Sequence, residues 1–299
     1  MNLPEKQKVI CYGEALWDVF PDGSVPGGAP MNVAIHLNNL GVDVELVSKV
    51  GDDTAGKELL KFISRNQLST KYIFSDSGYP TGKVNVSLDE QGNATYEICK
   101  PAAWDYIEMT PDIEKLSSKA GIIIYGTLSS RSLHSRTTLN TLLKSNSMKV
   151  IDVNFRPPYN DREIIEPLLH SADIIKLNDD ELKEIASWYG FSLSDNQAIK
   201  WLSKFYDCSL VLLTLGEWGA MVYSAGKIHK HGGYKIKAID TVGSGDSFLA
   251  AFIASLTGKQ SVDKALDFAC ATGSFVATKK GATPGISRNE IESFKDTNN

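Results

Sequence analysis

KVICYG at residues 8–13, a helical stretch from Pro30 to Leu40 stopped by Gly41, VELVSKVG at 44–51 and a second helical stretch near 54–66 set the rhythm of the chain. Apolar runs of strand length alternate with runs of helix length, the signature of parallel strands joined by crossover helices. The rhythm returns in GIIIYG (121–126), KVIDVN (149–154), DIIKLN (173–178) and SLVLLTLG (209–216), each followed by a loop and an amphipathic segment. These strands are apolar enough to be buried on both faces. The expected fold is α/β, a mainly parallel central sheet flanked by helices. GKVNVSLDEQGNATYEIC (82–99) breaks the rhythm, because polar and apolar residues alternate around a turn at 89–93. It reads as a hairpin with one wet face. Paired with an extended piece around Leu16–Phe20, it would make a small inserted sheet over a cleft.

Composition narrows the function. The 299 residues suffice for one large α/β domain, and 31 basic against 36 acidic residues give a net charge of -5 with no long basic run. That argues against a nucleic-acid partner. Cys11, Cys99, Cys208 and Cys270 lie far apart without a CxxC pair, and the first residues, MNLPEKQK, are charged where a signal peptide is apolar. A reducing, cytoplasmic setting is expected. Apolar stretches such as LAAFIASL (249–256) fall short of the roughly 18 residues of a membrane span. His229 and His231 flank Lys230 on one face of a strand, but two such ligands without carboxylate or thiolate company indicate a solvated strand face rather than a metal site.

The chemistry concentrates in Asp240-Thr-Val-Gly-Ser-Gly-Asp-Ser-Phe248, which leads directly into the apolar run LAAFIASL. A glycine turn opening a buried helix aims backbone N–H groups outward at the positive end of the helix dipole, where an anion or a developing oxyanion is stabilised. Asp246 is out of place there, since it repels bound phosphate unless it accepts a proton from the attacking nucleophile. The alternative is that Asp246 caps the helix. A dinucleotide fingerprint fails, because Phe248 stands where GxGxxG needs its last glycine. Gly51-Asp-Asp-Thr-Ala-Gly56-Lys57 mimics a phosphate loop, but Glu58 replaces the required Ser/Thr and Asp52 and Asp53 oppose phosphate, so it reads as a strand-to-helix loop.

A second constellation is Gly27-Gly28-Ala-Pro-Met-Asn32. Paired glycines admit a ligand close to the backbone, Pro30 suits a first helical turn, and Asn32 offers a donor and an acceptor to a hydroxyl. Upstream, Asp18 in GEALWD lies just past the first strand, where open α/β sheets bind ligands. A carboxylate accepting two hydroxyls is how polyols are held; turn glycines with capping polar residues are the plainer alternative.

With GGAPMNVAIHLNNLG (27–41) and DTVGSGDSFLAAF (240–252) in this order, the sequence resembles the PfkB carbohydrate kinases, the ribokinase-like sugar kinases, over nearly its whole length. Through GEALWDVFP, GGAPMN, PAAWD (101–105) and DVNFR (152–156) it is most similar to bacterial fructokinases. The resemblance implies one ribokinase-like domain over 1–299, with a small β lid inserted from about 16–26 and 82–106. It implies Asp246 as catalytic base with an anion hole at Gly243, Ser244 and Gly245, and sugar contacts from Asp18, Gly28, Asn32, Asn154 and Arg156. Asn178, Thr214 and Gly216 would line the nucleotide. Asn178 and Glu181 would hold phosphate and Mg2+ largely through water, although Asn-x-x-Glu after a strand is equally a helix capping box. Asp240 and Thr241, with carbonyls of GATPGIS (281–287), match a K+ site of some relatives.

The implied reaction is ATP + D-fructose giving ADP + fructose 6-phosphate, with the hairpin as lid and a homodimer formed through the lid sheets. One departure stands out: Arg156-Pro-Pro-Tyr159 replaces the Leu-Trp that often follows this arginine. A 2-keto-3-deoxygluconate kinase is the alternative, with Arg156 pairing the substrate carboxylate. A non-catalytic sugar sensor is the alternative from another class, and it has no need of a proton acceptor beside an anion hole.

Overall fold

A computed structural model of the chain describes residues 8–88 and 94–298. The first part runs β1 (Val9–Tyr12), β2 (Leu16–Phe20), β3 (Gly23–Gly27), α1 (Ala29–Asn39), β4 (Val44–Gly51), α2 (Thr54–Arg65), β5 (Ile73–Asp76), β6 (Gly82–Leu88), β7 (Ala94–Ile98) and α3 (Pro111–Ser117). There follow β8 (Ile122–Gly126), α4 (Leu133–Leu142), β9 (Met148–Asp152), α5 (Arg162–His170), β10 (Ile174–Asn178), α6 (Asp179–Ser187) and α7 (Asp195–Phe205). The last part holds β11 (Leu210–Thr214), β12 (Ala220–Ser224), β13 (Lys227–His231), α8 (Ser244–Thr257), α9 (Val262–Ala277) and α10 (Arg288–Asn298).

Nine strands form the central sheet in the order β13-β12-β11-β10-β9-β8-β1-β4-β5. From β5 to β11 the pairs are parallel, and among the described residues only the pairs β11–β12 and β12–β13 are antiparallel, so β12 alone runs against the rest. The strand periodicity of two sends Val9 and Cys11 into one apolar layer and Ile10 and Tyr12 into the other, all fully buried. This is why the strands read as continuous apolar runs. LAAFIASL becomes the middle of α8, buried throughout between α1, α9 and the sheet; a helix apolar on all sides belongs in a core.

The smaller sheet has the order β3-β2-β6-β7. Val84 and Val86 of β6 point inward while Lys83, Asn85 and Ser87 are exposed, as the alternation predicts. The turn expected at 89–93 lies outside the described residues. The phosphate-loop mimic is an ordinary junction: Asp53 caps α2 by accepting from the Gly56 N–H at 2.7 Å, and also accepts from Thr81. His229 and His231 share a face of β13, each beside an aspartate of α9, Asp263 at 2.7 Å and Asp267 at 3.2 Å. Their face is packed on a helix rather than simply solvated.

The small sheet ends at Ile98, earlier than the expected boundary at 106. PAAWD turns back into the core, where Trp104 is fully buried and Asp105 pairs Arg131 through Nε and Nη2, both at 2.8 Å. Arg131 lies over the Trp104 ring at 4.0 Å and also donates to the Cys99 carbonyl at 2.8 Å. One buried guanidinium thus ties the base of the lid to the segment after β8. Arg131→Met should strand the Asp105 carboxylate and cost about 3–5 kcal/mol in urea unfolding. Arg131→Met with Asp105→Asn should recover most of that loss, and a single variant as stable as wild type would show that the pair anchors nothing.

Candidate functional site

The carboxyl ends of the parallel strands, the start of α8 and the inner face of the small sheet enclose a cleft of about 1080 Å³. Its position is the one expected for an open α/β sheet. Asp18, Gly28, Asn32, Asn154 and Arg156 line one part of it, and Asn178, Glu181, Thr214, Asp240 and Thr241 another; Gly243, Gly245 and Asp246 lie on the wall as well. Ser244 and Gly216 are not on this wall. Ser244 Oγ donates to the Gly273 carbonyl at 3.0 Å and joins α8 to α9. Gly216 has φ +57°, a conformation that favours glycine, and a side chain there would meet open space.

Asp246 is not a cap. The cap position of α8 is Gly243, and Asp246 is the third helical residue. Its Oδ2 accepts from Asn32 Nδ2 at 2.8 Å, across 214 positions of sequence, while Asn32 Oδ1 is buried without a partner. Gly243 has φ +76°, and a side chain on it would collide with the backbone of Ala282. Among the described residues the Ser244 N–H turns back to the Thr241 carbonyl at 3.2 Å, whereas none accepts from the N–H groups of Gly245 and Asp246. Among the described residues the Gly243 N–H has no acceptor either, so the open amides at the head of this 14-residue helix are those of 243, 245 and 246, and they carry its positive end.

The acidic residues are managed by a few donors and cations. Burial raises Asp246, while Lys176, the Asn32 hydrogen bond and Arg156 pull it back. Burial likewise pushes Asp18 up to about 6, with Arg156 opposing. Glu14, buried with Oε2 unpartnered, is pushed up to about 7 by burial. Lys176 is itself buried and holds both oxygens of Asp152, at 2.8 and 2.9 Å.

The capping-box reading of Asn178 and Glu181 is fully realised. Asn178 Oδ1 accepts from the Glu181 N–H, and Glu181 Oε2 accepts from the Asn178 N–H, both at 2.8 Å. Glu181 Oε1 accepts from the Phe155 N–H at 2.9 Å and so fastens the 154–156 loop to α6. Asp240 is used in the same way, Oδ1 taking the Val242 N–H at 3.0 Å and Oδ2 the Gly281 N–H at 2.9 Å.

Glu14, His36, Asp152 and Lys176 escaped the sequence reading. Lys176 and Asp152 had a signal: Lys176 is the one charge inside the apolar strand β10, and Asp152, of opposite sign, ends the neighbouring strand β9. His36 is buried in α1 with Nε2 2.9 Å from the Ala282 carbonyl, which makes Nε2 the donor. Burial lowers it to about 4, so it bridges α1 to the 281–287 loop as a neutral ring. No sequence spacing announces a contact of that kind.

Comparison with known proteins agrees with this architecture. Residues 6–289 match the profile of the pfkB family carbohydrate kinases. A probable fructokinase-5 from Arabidopsis thaliana is 30% identical, with 93% of this chain and 94% of that protein covered. A double mutant of the Vibrio cholerae O395 fructokinase, solved with fructose, ADP and potassium ion, superposes with a TM-score of 0.84 at 22% identity over 97% of this chain and 98% of its own. A sugar kinase from Pyrococcus horikoshii in complex with ATP gives a TM-score of 0.78 at 27% identity over 92% of this chain and 95% of its own. With both sequence signatures meeting on one cleft, this chain belongs to the pfkB family of carbohydrate kinases.

Proposed function

We propose that this sugar phosphotransferase acts on D-fructose, transferring the terminal phosphoryl group of ATP to the primary hydroxyl at C6. The observation that carries the reading is Asp246: a carboxylate oriented by Asn32 through Oδ2, with Oδ1 left open, beside the free amides of Gly245 and Asp246. As the sugar oxygen forms its bond to phosphorus and the bond to ADP breaks, Oδ1 takes the hydroxyl proton. The helix start meets the negative charge on the transferred group.

The charges of the cleft support a neutral substrate. Arg156 already acts on Asp18, Glu14 and Asp246. An acidic sugar such as 2-keto-3-deoxygluconate brings one more carboxylate among these, and its charge is left poorly paired. Asp18 serves as acceptor for sugar hydroxyls, with Gly28 and Asn154 beside it. On the nucleotide side, the Asn178 amide retains its NH2 for phosphate, since its oxygen is spent on the cap, and Thr214 lies next to it. Glu181 fits magnesium held through water, because each oxygen accepts one N–H and keeps a lone pair. Magnesium, when bound, neutralises phosphate oxygens. Asp240 and Thr241 fit a potassium ion on the same ground. The edge strands β3 and β7 offer unpaired backbone to a second copy, which supports a homodimer.

A panel of sugars in a coupled ADP-release assay is the test. Fructose should exceed the keto-acid in kcat/KM by at least ~100-fold; a keto-acid phosphorylated faster overturns the fructose assignment and leaves the family intact. Asp246→Asn keeps shape and the contact to Asn32, and should cost on the order of 10² to 10⁴ in kcat with little change in fructose KM. Turnover above about a tenth of wild type would remove Asp246 as base.

The pH dependence gives a separate check on Asp18. Its carboxylate form, the hydroxyl acceptor, is present above about 6 and lost as pH falls through that value. Fructose KM should therefore rise below that pH, by up to about tenfold per pH unit for a single proton. Asp18→Asn should show a high KM without this dependence. An Asp18→Asn enzyme retaining the wild-type KM profile would exclude Asp18 from sugar binding.

A further inference from the structure

Lys176 and Asp152 face each other in register across the parallel pair β10 and β9. Their side chains are 8% and 4% exposed. A buried ion pair seldom outperforms well-packed apolar residues in stability, so its presence at the floor of a reaction cleft calls for a reason. The surroundings supply one. Lys176 Nζ lies 3.0 Å from the point where a side chain on Gly245 would begin, pressing the ammonium against the first turn of α8, one residue before Asp246. Lys176, Gly245 and Asp246 share the cleft wall.

We propose that Lys176, clamped by Asp152, is a positioning residue for phosphoryl transfer: it is the counter-charge that keeps Asp246 a carboxylate ready to take the sugar proton. The inference rests on Asp246 being the base. Asn32 meets Asp246 from α1, Arg156 faces it from the loop after β9, and Glu14 opposes it from the connection between β1 and β2. Behind Lys176 stand Asp152 and, from α6, Glu181. Of the groups that favour the Asp246 carboxylate against burial, Lys176 acts most strongly, ahead of Asn32 and Arg156. Arg156 sits on the exposed side of the cleft and is shared with Asp18 and Glu14, whereas Lys176 has no role toward the sugar-side acids.

Asp152 explains how a lysine survives there. Burial works against the ammonium, but Asp152, with Glu181 and Asp246, outweighs it and holds Lys176 above the usual lysine value. Two of its three N–H bonds go to the two Asp152 oxygens. The nitrogen is thereby fixed beneath Gly245 and prevented from folding over to neutralise Asp246 by direct contact, which would abolish its basicity.

The test is the acid limb of kcat at saturating fructose and ATP, where the titration of Asp18 in free enzyme drops out. Lys176→Met should move that limb up by about one to three pH units. Lys176→Met with Asp152→Asn removes charges of both signs from the same place, and should bring most of the shift back with a similar packing defect. Asp152 and Glu181 also feel Lys176, so the limb of Asp152→Asn is compared with that of Lys176→Met plus Asp152→Asn, both in a Glu181→Gln background, which leaves Asp246 as the acid whose shift is read. Both limbs unmoved, whatever the loss of stability, would make the pair structural only and overturn the proposal. If Lys176→Met yields no folded protein, Asp152→Asn alone carries the test: losing that negative charge must move the limb down, and an unmoved limb overturns the proposal. The Asp246→Asn enzyme separates the two readings. Inactive Asp246→Asn with an unmoved limb in the lysine variants sinks this inference alone, whereas an active Asp246→Asn sinks the base assignment beneath it.

Discussion

In the proposed reaction a carboxylate must remain charged close to where a polyanion binds, and most of the cleft can be understood as the management of that one conflict. Asp246 stands on the third residue of α8, where the helix terminus favours negative charge of any origin. The same field that draws the phosphoryl group therefore draws the base. Asn32 settles the geometry by donating to Oδ2, and the glycine at 243 lets the chain pass under Ala282 closely enough to begin the helix there. A neutral histidine, His36, fixes that passage from the other side by holding the Ala282 carbonyl. Had this ring been charged, it would have competed with the helix terminus for the incoming anion; burial removes the competitor.

The elements that place these groups come from distant parts of the chain, and a second layer of contacts holds them. Glu181 fastens α6 to the 154–156 loop, Asp240 fastens the loop before α8 to Gly281, and Arg131 fastens the lid base to the core. In each case a carboxylate or guanidinium satisfies backbone groups that a loop leaves unpaired. Loops over a cleft have few apolar contacts, so polar ties of this sort substitute for a core.

The fold was legible because its signal is local. Apolar strand runs and helical stretches were bounded to within a residue or two, as with Val44–Gly51 and Thr54–Arg65, since a strand buried on two faces has few alternatives. The motif residues were legible for a related reason: glycines and an aspartate in an otherwise apolar helix start violate local preference and so betray a task. Four things were not. Lys176 with Asp152, Asp105 with Arg131, His36 with Ala282, and the orphan oxygen of Glu14 all depend on which strands and loops become neighbours. Asp152 in KVIDVN and Lys176 in DIIKLN were visible as charges, but only the register of β9 against β10 makes them a pair. Asp105 in PAAWD is alike: only the segment after β8 brings Arg131 to it.

The cleft is also asymmetric in polarity, and this bears on how the transfer avoids water. Its floor, from β10, α6 and α8, carries Lys176, Glu181 and Asp246, with Asp152 behind Lys176, whereas the small sheet contributes Leu16, Val25, Val84 and Ile98 to the wall around the single acid Asp18. An apolar roof over a charged floor lowers the local dielectric when substrate displaces solvent, and every attraction between floor and phosphoryl group strengthens as it does. The same change strengthens repulsion between Asp246 and its acidic neighbours, which would drive the base to hold a proton. A counter-charge whose influence grows in step is needed, and it has to lie on the floor, where closure removes water from both partners at once. Lys176 satisfies that requirement through its position beneath Gly245; Arg156, on the exposed side, satisfies it less well. In the proposed reaction the apolar face of the small sheet and the buried ion pair are thus two halves of one device: the first makes the site electrostatically intense, and the second keeps that intensity from silencing Asp246.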